Sequence, residues 1–466
     1  MSVPLLERPE ALALLEDAEL HANTVRGCQE RLTPFLQRYL PLFYRIEHRD
    51  HARTVIEGKL SGLERKTCEP IARRAGEERK PIQIFVGGGA WDDEGVMHGL
   101  RGHVQEAIGD PDGILIIDGS GFVKKGEHSC GVERQWCGRL GKVENCQVGV
   151  FLTYVTARGY APLDRQLYLP KDWAADPARR AECHVPDDVV FEEKWRIGQR
   201  LLERSGPDVP YRWVVADDEF GRVSALRGWL RRQRKDYVLD VPSNTLVRDL
   251  EAPRVNGRRP KFETAHAWAT RQPARRWKTI TLRDGEKGPL RVRALDCHVQ
   301  TKDEDGRVGC SERLLVTRTL DEKPLQAYAL SNAKYEPLAK VLRVGSARHR
   351  IEEVFQEGKG EVGLGHYEVR SWIGWHHHMT LSQLAHWFLI LENRRVGKKN
   401  PGHHGPAGAS DFHEAPATPA SDADRDRRRN HPGAATHRGG AHLSLPQERQ
   451  AFSSSPPCHK LRLGSY

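Results

Sequence analysis

Hydrophobic positions change their spacing along this chain. Up to about residue 105 the apolar side chains recur every three or four positions, as at Phe35, Tyr39 and Phe43, and this is the period of an amphipathic helix. From about residue 110 the apolar residues instead form short continuous runs, which are typical of strands covered on both faces of a sheet. The pattern therefore predicts a helical N-terminal region followed by an α/β region.

Five runs have the length and composition of core strands. They are residues 113–117, 148–155, 161–169, 213–216 and 237–241. The second and third runs flank Arg158-Gly159 and therefore predict a hairpin. The basic segment 224–233 predicts a helix between the last two strands.

Residues 248–340 carry short alternating runs separated by turn residues, and they predict a β-rich insertion. The runs are 279–282, 290–295, 314–316 and 325–330. Helical spacing returns at 347–359 and 379–393. Beyond residue 399 the chain is rich in Gly, Pro, Ala and His without a sustained period, which predicts a disordered or frame-shifted tail.

This organisation divides the chain into five segments. We expect a helical, DNA-binding N-terminal domain at residues 1–108, the first part of the core at 109–247 and the insertion at 248–340. The C-terminal part of the core follows at 341–395, and the tail at 396–466. The basic residues of the first segment fit either DNA contacts or a solvated helix face.

Composition narrows the class of protein. The 466 residues include 73 Lys and Arg against 63 Asp and Glu, a net charge of +10, which favours an anionic partner, most often nucleic acid. The apolar runs stay far below the roughly 18 residues of a membrane helix. The N-terminus lacks the basic-then-apolar pattern of a secretory signal, so a cytoplasmic protein is expected. Nine cysteines without a C-x2-C pair predict free thiols.

Two carboxylates have a position that suits catalysis. Asp118 and Asp217 each come directly after a buried strand, and the ends of neighbouring strands place such side chains close together. With a third carboxylate from a helix, they would form a site for two divalent metal ions in phosphodiester chemistry. The alternative for each is a cap or turn residue. Asp218 and Glu219 are rivals of Asp217 as the second acid.

The helical carboxylate is indicated by geometry. At about 100° per residue, Arg348, Glu352 and Lys359 share one stripe that adjoins the apolar face of their helix. Glu352 would then be within reach of a metal ion, and the two cations would flank it at positions suited to phosphate oxygens. The alternative is a surface salt bridge of the i,i+4 kind between Arg348 and Glu352.

In these residues the sequence resembles the DDE transposases of bacterial insertion sequences, in the branch with a Y-x2-R-x3-E-x6-K signature and a β-rich insertion. Arg348, Glu352 and Lys359 match R, E and K, whereas Gly345 stands in the place of the tyrosine. Asp118, in the sequence IIDGSGFVKKG, and Asp217, in VVADDEFG, look like the two aspartates. The resemblance spans roughly residues 35–395.

The resemblance implies an α/β fold: an RNase H-like mixed sheet flanked by helices, interrupted by the β-rich insertion and preceded by the helical domain. It implies that Asp118, Asp217 and Glu352 are catalytic and hold two Mg²⁺ ions, with Mn²⁺ as a substitute. Arg348 and Lys359 would contact DNA. The implied partners are double-stranded DNA, as terminal inverted repeats and as target, and further copies of the chain on that DNA. No membrane is involved, and the implied location is the bacterial cytoplasm, at the nucleoid.

Two other functions stay open: a two-metal nuclease without strand transfer, and a degenerate copy that binds DNA without chemistry.

Two further features receive structural interpretations. The triplet His376-His377-His378 is expected near DNA phosphates or solvent, because consecutive helical residues cannot all reach one ion. Trp268 and Trp277 are expected in the core of the insertion, with stacking on an unpaired base as the alternative.

Overall fold

Helices form the described part of the N-terminal region, as its apolar spacing predicts. The computed structural model describes residues 27–399 except 139, 255, 284–288 and 322. The helices are α1 (Cys28–Tyr39), α2 (Ile46–Lys59), α3 (Cys68–Ala75), α4 (Arg79–Gly88) and α5 (Asp93–Ile108). The start of the predicted N-terminal domain and the predicted tail from residue 400 lie outside the described residues.

A mixed sheet follows, and within the described residues it has 12 strands. The strands of the core are β1 (Ile114–Val123), β2 (Glu133–Cys137), β3 (Lys142–Thr156), β4 (Gly159–Leu167), β5 (Trp213–Ala216) and β6 (Asp236–Asp240). β3 pairs antiparallel with β1 and β4, whereas β5 pairs parallel with β1 and β6. All five predicted core strands are present, including the hairpin.

Both faces of the central strands are covered, which explains their continuous apolar runs. Leu115 and Ile117 pack on one face in a cluster that reaches the N-terminal helices. Ile116 packs on the other face with Ile351. The α/β class predicted from the sequence is confirmed as a mixed sheet with helices on both faces.

Helices connect and cover the strands. They are α6 (Lys171–Ala174), α7 (Pro177–Glu182), α8 (Lys194–Ser205), α9 (Asp218–Gly221), α10 (Ser224–Arg232), α11 (Ala265–Thr270), α12 (Leu338–Ser346), α13 (His349–Gly360) and α14 (Trp372–Lys399). Short 3-10 turns occur at Leu40–Leu42, Gly206–Asp208 and Ala274–Arg276. The helix predicted at 347–359 is α13, and the one predicted at 379–393 is part of the longer α14.

The β-rich insertion continues the core sheet instead of forming a separate one. Its strands are β7 (Leu246–Asp249), β8 (Glu263–Thr264), β9 (Lys278–Arg283), β10 (Leu290–Lys302), β11 (Val308–Arg318) and β12 (Gln326–Ser331). The sheet has the order β2-β3-β1-β5-β6-β12-β11-β10-β7-β8, with β4 beside β3 and β9 beside β10. β12 pairs antiparallel with β6, where Ala329 lies opposite Asp240. The buried Glu312 accepts hydrogen bonds from Arg227 Nε at 3.0 Å and Tyr237 Oη at 2.6 Å. These contacts join the insertion to the core.

The two tryptophans of the insertion lie in its core, as expected. Trp268 and Trp277 are both buried in one apolar cluster, and Trp268 Nε1 donates a hydrogen bond to Asp249 Oδ2 at 2.8 Å. The cysteines in the described part of the chain are free thiols. Among the described helices, none combines the length and the hydropathy needed to cross a membrane.

Candidate active site

Three neighbouring parallel strands each carry an aspartate directly after the last residue of their parallel pairing. β5 and β6 end there, but β1 continues to Val123 along β3, so the expectation that a strand ends before Asp118 is wrong. Ile117 of β1 lies opposite Ala216 of β5, and Ala216 lies opposite Leu239 of β6. The next residue along each strand is an acid, which makes a row at one edge of the parallel strands. The row consists of Asp118, Asp217 and Asp240.

The row faces the side of the sheet that α12 and α13 cover. Side chains alternate along a strand, so each aspartate points to the same face as the residue two positions before it. Those residues are Ile116, Val215 and Val238, and all three pack in the cluster that contains Ile351 of α13. The carboxylates are therefore directed toward the helix that carries Glu352.

Local hydrogen bonds orient the two predicted aspartates. Asp118 is 7% exposed and accepts the backbone N–H of Gly119 at 2.7 Å. Asp217 is 3% exposed and accepts the backbone N–H of Glu219 at 3.0 Å, so that it caps the N-terminus of α9. Asp217 is therefore both a helix cap, which was the alternative interpretation, and a member of the row of aspartates.

The rivals of Asp217 have partners of their own. Asp218 pairs with Arg222 at 3.2 Å, and Glu219 pairs with Lys194 at 2.7 Å. Close packing holds this turn against β6, because a Cβ at Gly221 would overlap the carbonyl oxygen of Asp240.

Arg348 lies among the carboxylates. Its Nε is 3.3 Å from Asp240 Oδ2, and its Nη1 is 3.3 Å from Glu352 Oε1. Burial alone would lower the pKa of Arg348, yet four carboxylates outweigh it and raise that pKa above the usual value. They are those of Asp240, Asp118, Glu352 and Asp217. The i,i+4 salt bridge with Glu352 is thus present, but Arg348 is only 17% exposed and also joins α13 to the strand ends.

Asp240 belongs to this cluster although the sequence analysis did not single it out. Burial raises its pKa to about 6, and Asp217, Asp218 and Glu352 act in the same direction against Arg348. A signal was available, because Asp240 follows an apolar run as Asp118 and Asp217 do. Its relevance depends on the pairing of β6 with β5, which the run itself does not reveal.

Lys359 reaches β1 from the other end of the predicted stripe. Its Nζ donates hydrogen bonds to Ser120 Oγ at 2.8 Å and to the Gly121 carbonyl oxygen at 3.3 Å. Arg348, Glu352 and Lys359 therefore all lie on the side of α13 that faces the strand ends, as the helical spacing predicts.

The carboxylate oxygens of Asp118, Asp217 and Glu352 are chemically suited to a hard divalent cation, because Mg²⁺ prefers such ligands. Within residues 27–399, apart from the gaps named above, no group of three His, Cys, Asp or Glu side chains is arranged to hold a metal ion. Mg²⁺ commonly uses one or two protein carboxylates together with substrate phosphates and water. Asp118 and Asp217, on the adjacent strands β1 and β5, fit that mode of binding.

Comparison with known proteins identifies the family. The family model for the DDE superfamily endonucleases matches residues 38–289, which is more than half of the chain. The chain belongs to this family. A second model, the transposase DDE domain, matches residues 196–388. The predicted recognition as a DDE transposase of an insertion sequence is confirmed.

Individual relatives are more distant. A probable transposase for insertion sequence element IS701 from Microchaete diplosiphon is 30% identical over 152 residues, which are 32% of this chain and 39% of that protein. The match thus spans about two fifths of the length of this relative. The structure of a piggyBac transposase synaptic complex with hairpin DNA is similar over 79% of this chain and 69% of that chain, with 10% identity and a TM-score of 0.38.

The structure departs from the sequence expectation at the histidine triplet. The expectation that these residues lie near DNA phosphates or solvent is wrong, because all three are buried in α14. His376 Nε2 is 3.2 Å from Gln166 Nε2, His377 Nε2 is 3.3 Å from the Trp91 carbonyl oxygen, and His378 Nε2 is 3.1 Å from that of Leu364. Each ring thus contacts a different neighbour.

The missing signature tyrosine has a packing reason. A Cβ at Gly345 would lie 2.9 Å from Val238 Cγ1, so the close approach of α12 to β6 requires a residue without a side chain.

Glu357 was also missed by the sequence analysis. It accepts hydrogen bonds from Tyr160 Oη at 2.5 Å and His386 Nε2 at 2.9 Å. It therefore ties α13, which carries Glu352, to β4 and α14.

Proposed function

We propose that this protein is a DNA transposase that cleaves DNA at the ends of an insertion sequence and joins the freed ends to target DNA. The observation that carries the proposal is that Asp118 and Asp217, on the adjacent parallel strands β1 and β5, and Glu352 of α13 all lie near the guanidinium of Arg348. Membership of the DDE superfamily endonucleases supports the nuclease chemistry.

We infer an RNase H-like core for the same protein. The support is the strand order β4-β3-β1-β5-β6, in which β3 is antiparallel to β4 and β1, and β5 and β6 run parallel to β1. In this arrangement the insertion enters after β6 and returns to it through β12. The chain can then fold the insertion without separating Asp217 from Glu352 in space.

The acids would act as the cation-binding group. Asp118 and Asp217 would hold a divalent cation, with Glu352 as the third carboxylate and two Mg²⁺ ions, or Mn²⁺, as the full complement. Bound there, such ions polarise the scissile phosphate and activate a water molecule or a 3′-hydroxyl group. Burial of both aspartates keeps their carboxylates in one orientation, which lowers the entropy lost when a substrate binds.

The two cations of α13 would position the substrate. Arg348 offers several N–H donors in a planar arrangement, which suits paired oxygens of carboxylate or phosphate. It holds Asp240 and Glu352 in place, and its remaining donors can meet a phosphate oxygen. Lys359, held at Ser120, places a positive charge beside the strand that carries Asp118. Both would contact the DNA backbone near the cleaved bond.

The remaining partners follow from the same proposal. Double-stranded DNA, as terminal inverted repeats and as target, would be bound by the helical N-terminal domain and by copies of this chain assembled on it. The net charge of +10 supports an anionic partner. The protein would act in the bacterial cytoplasm at the nucleoid.

A supercoiled-plasmid assay tests the function. A donor DNA that carries the element ends is incubated with the protein and Mg²⁺, and nicked, linear and joined products are separated. Joined products are expected from the wild type. Nicks without joining would indicate the nuclease, and end binding without any cleavage would indicate the degenerate DNA-binding copy.

Glu352 has a matched control on its own helix. Glu352→Gln should abolish Mg²⁺-dependent cleavage and spare end binding, because it removes a charge and leaves the shape unchanged. Glu353→Gln should leave cleavage unchanged, since Glu353 pairs with Arg350 at 2.6 Å and stands outside the carboxylate cluster. Equal losses in the two variants would show that the effect is structural and would contradict the assignment.

The second acid can be assigned in the same way. Asp217→Asn should abolish cleavage, whereas Asp218→Asn and Glu219→Gln should retain most of it. A reversal of that order would move the catalytic role to one of the rivals.

A further inference from the structure

A cavity of about 220 Å³ lies apart from the carboxylate cluster and shares no lining residue with it. It is enclosed by α2, α3, α4, α14 and the segment 366–369. Part of its wall is apolar and includes Val55, Ile71, Val86, Val369 and Leu381. An apolar cavity of about 150 Å³ can hold a benzene ring, so this one has room for a ring with a small polar substituent.

A buried lysine lines the cavity. Lys59, the last residue of α2, is 1% exposed, and its Nζ has no hydrogen-bond partner among the described residues. Lys59 also forms no ion pair within the described residues. Burial lowers its pKa to about 7, and the nearby Lys66 adds to that effect against the thiol of Cys68. An ammonium group without a partner is unfavourable in such a place, and a bound anion would remove the penalty.

The groups around Lys59 add positive charge and donors. Lys66 also lines the cavity, and its Nζ donates hydrogen bonds to the carbonyl oxygens of Lys59, at 2.8 Å, and of Ser61. The backbone N–H of Lys66 donates to Nδ1 of His366 at 3.3 Å. In a neutral imidazole whose Nδ1 accepts, the proton is on Nε2, which is then a donor. The described lining residues include one carboxylate, that of Glu368, and it is exposed to solvent.

We propose that this cavity binds a small organic acid whose apolar body lies against the wall formed by Val55, Val86 and Leu381, and that the Lys59 side chain turns so that its buried Nζ meets the oxyanion. The ammonium of Lys59 pairs with the anion. Lys66, whose charge Glu361 offsets in part, adds positive potential, and His366 offers an N–H donor. The apolar wall excludes water from the body of the ligand and strengthens the ion pair through the low local dielectric. This site is independent of the proposed transposase function.

Benzoate is the probe of choice, tested on the full chain by isothermal titration calorimetry and thermal unfolding. Saturable binding and a higher unfolding midpoint are expected, because a ligand that binds only the folded state stabilises it. Benzylamine, with the opposite charge, should give neither. Absence of saturable benzoate binding, or equal binding of benzylamine, would overturn the proposal. Binding of inorganic phosphate without any response to benzoate would overturn the organic-acid assignment.

Lys59→Met removes the ammonium and keeps an unbranched apolar side chain of similar length. Benzoate should bind this variant about tenfold more weakly or worse, since its carboxylate loses a charged hydrogen-bond donor. The control is Lys142→Met, which removes an equal charge from the surface, where Lys142 pairs with Glu144 at 2.9 Å. Unchanged affinity in Lys59→Met, or an equal loss in the control, would contradict the assignment.

A second measurement needs no variant. Cys68 lines the same cavity and is partly exposed, so bound benzoate should slow its alkylation by iodoacetamide. Cys310 is exposed and lies elsewhere, and its alkylation rate should not change. Site-resolved mass spectrometry reports both rates. Protection of neither cysteine, or of both equally, would contradict binding in the cavity.

Discussion

The buried histidines of α14 make a sharp prediction about acid stability. His376 and His377 are buried, and His377 stacks on Trp91 with ring centroids 3.7 Å apart. Burial lowers the pKa of each to about 4, and the carboxylate of Asp93 opposes this effect only in part. At about pH 5, both imidazoles are therefore neutral in the folded protein, whereas an exposed histidine is largely protonated.

The sign and size follow from proton linkage. The unfolded chain, with a histidine pKa of about 6.5, binds more protons than the folded chain between about pH 6.5 and pH 4, so the fold loses stability as the pH falls through that window. From pH 7.5 to pH 5, a shift from about 6.5 to about 4 corresponds to a loss of about 2 kcal/mol per histidine. The pair together contributes about 4 kcal/mol if the two titrate independently.

Urea unfolding at pH 7.5, 6 and 5 measures this loss. His377→Phe keeps a ring against Trp91 and removes the titrating group, so its stability should fall by about 2 kcal/mol less than that of the wild type over this range. Trp91→Phe is the control, because it alters the same ring contact and keeps His377. Parallel curves for His377→Phe and the wild type would refute the reasoning, as would a reduced slope in the control.

Two further predictions concern the support of the candidate site. Asp240→Asn removes the charge that pairs with Arg348 Nε and should lower the cleavage rate about tenfold or more, because the guanidinium loses an ion-pair partner and is positioned less firmly. End binding, measured by gel shift, should remain, and an equal loss of binding would count against a positioning role. Glu357→Gln removes the charge that His386 and Tyr160 share and should lower the free energy of unfolding by about 1–3 kcal/mol. Urea denaturation measures it, and an unchanged midpoint would contradict the structural role of Glu357.

Local physics explains why part of the site was visible in the sequence. A strand covered on both faces needs an apolar residue at nearly every position, so the runs before Asp118 and Asp217 could be located by composition alone. The stripe of Arg348, Glu352 and Lys359 depends only on the helical period. These features are set by residues close together in the chain, and the observed strands and helix agree with them.

The rest depended on contacts between distant parts of the chain. Asp240 joins the row because β6 pairs with β5. The residues of a strand do not by themselves specify which strand pairs with it or in which register. The insertion extends the core sheet because β12 pairs with β6. The histidines of α14 are buried because α2, α4 and β4 cover that helix. Their Nε2 atoms find partners on β4 and on the loops at Trp91 and Leu364, so helical spacing alone suggested the wrong environment.

By itself, the sequence determined the element types, the two aspartates that follow apolar runs, the cationic stripe beside Glu352 and the family. Tertiary structure decided which strands are neighbours, and so brought Asp240 and Arg348 into one cluster. It also left Lys59 buried at a cavity wall without a hydrogen-bond partner among the described residues. The physical reason is that local periodicity sets helix and strand, whereas burial, ion pairing and pKa arise from side chains that only the folded chain brings together.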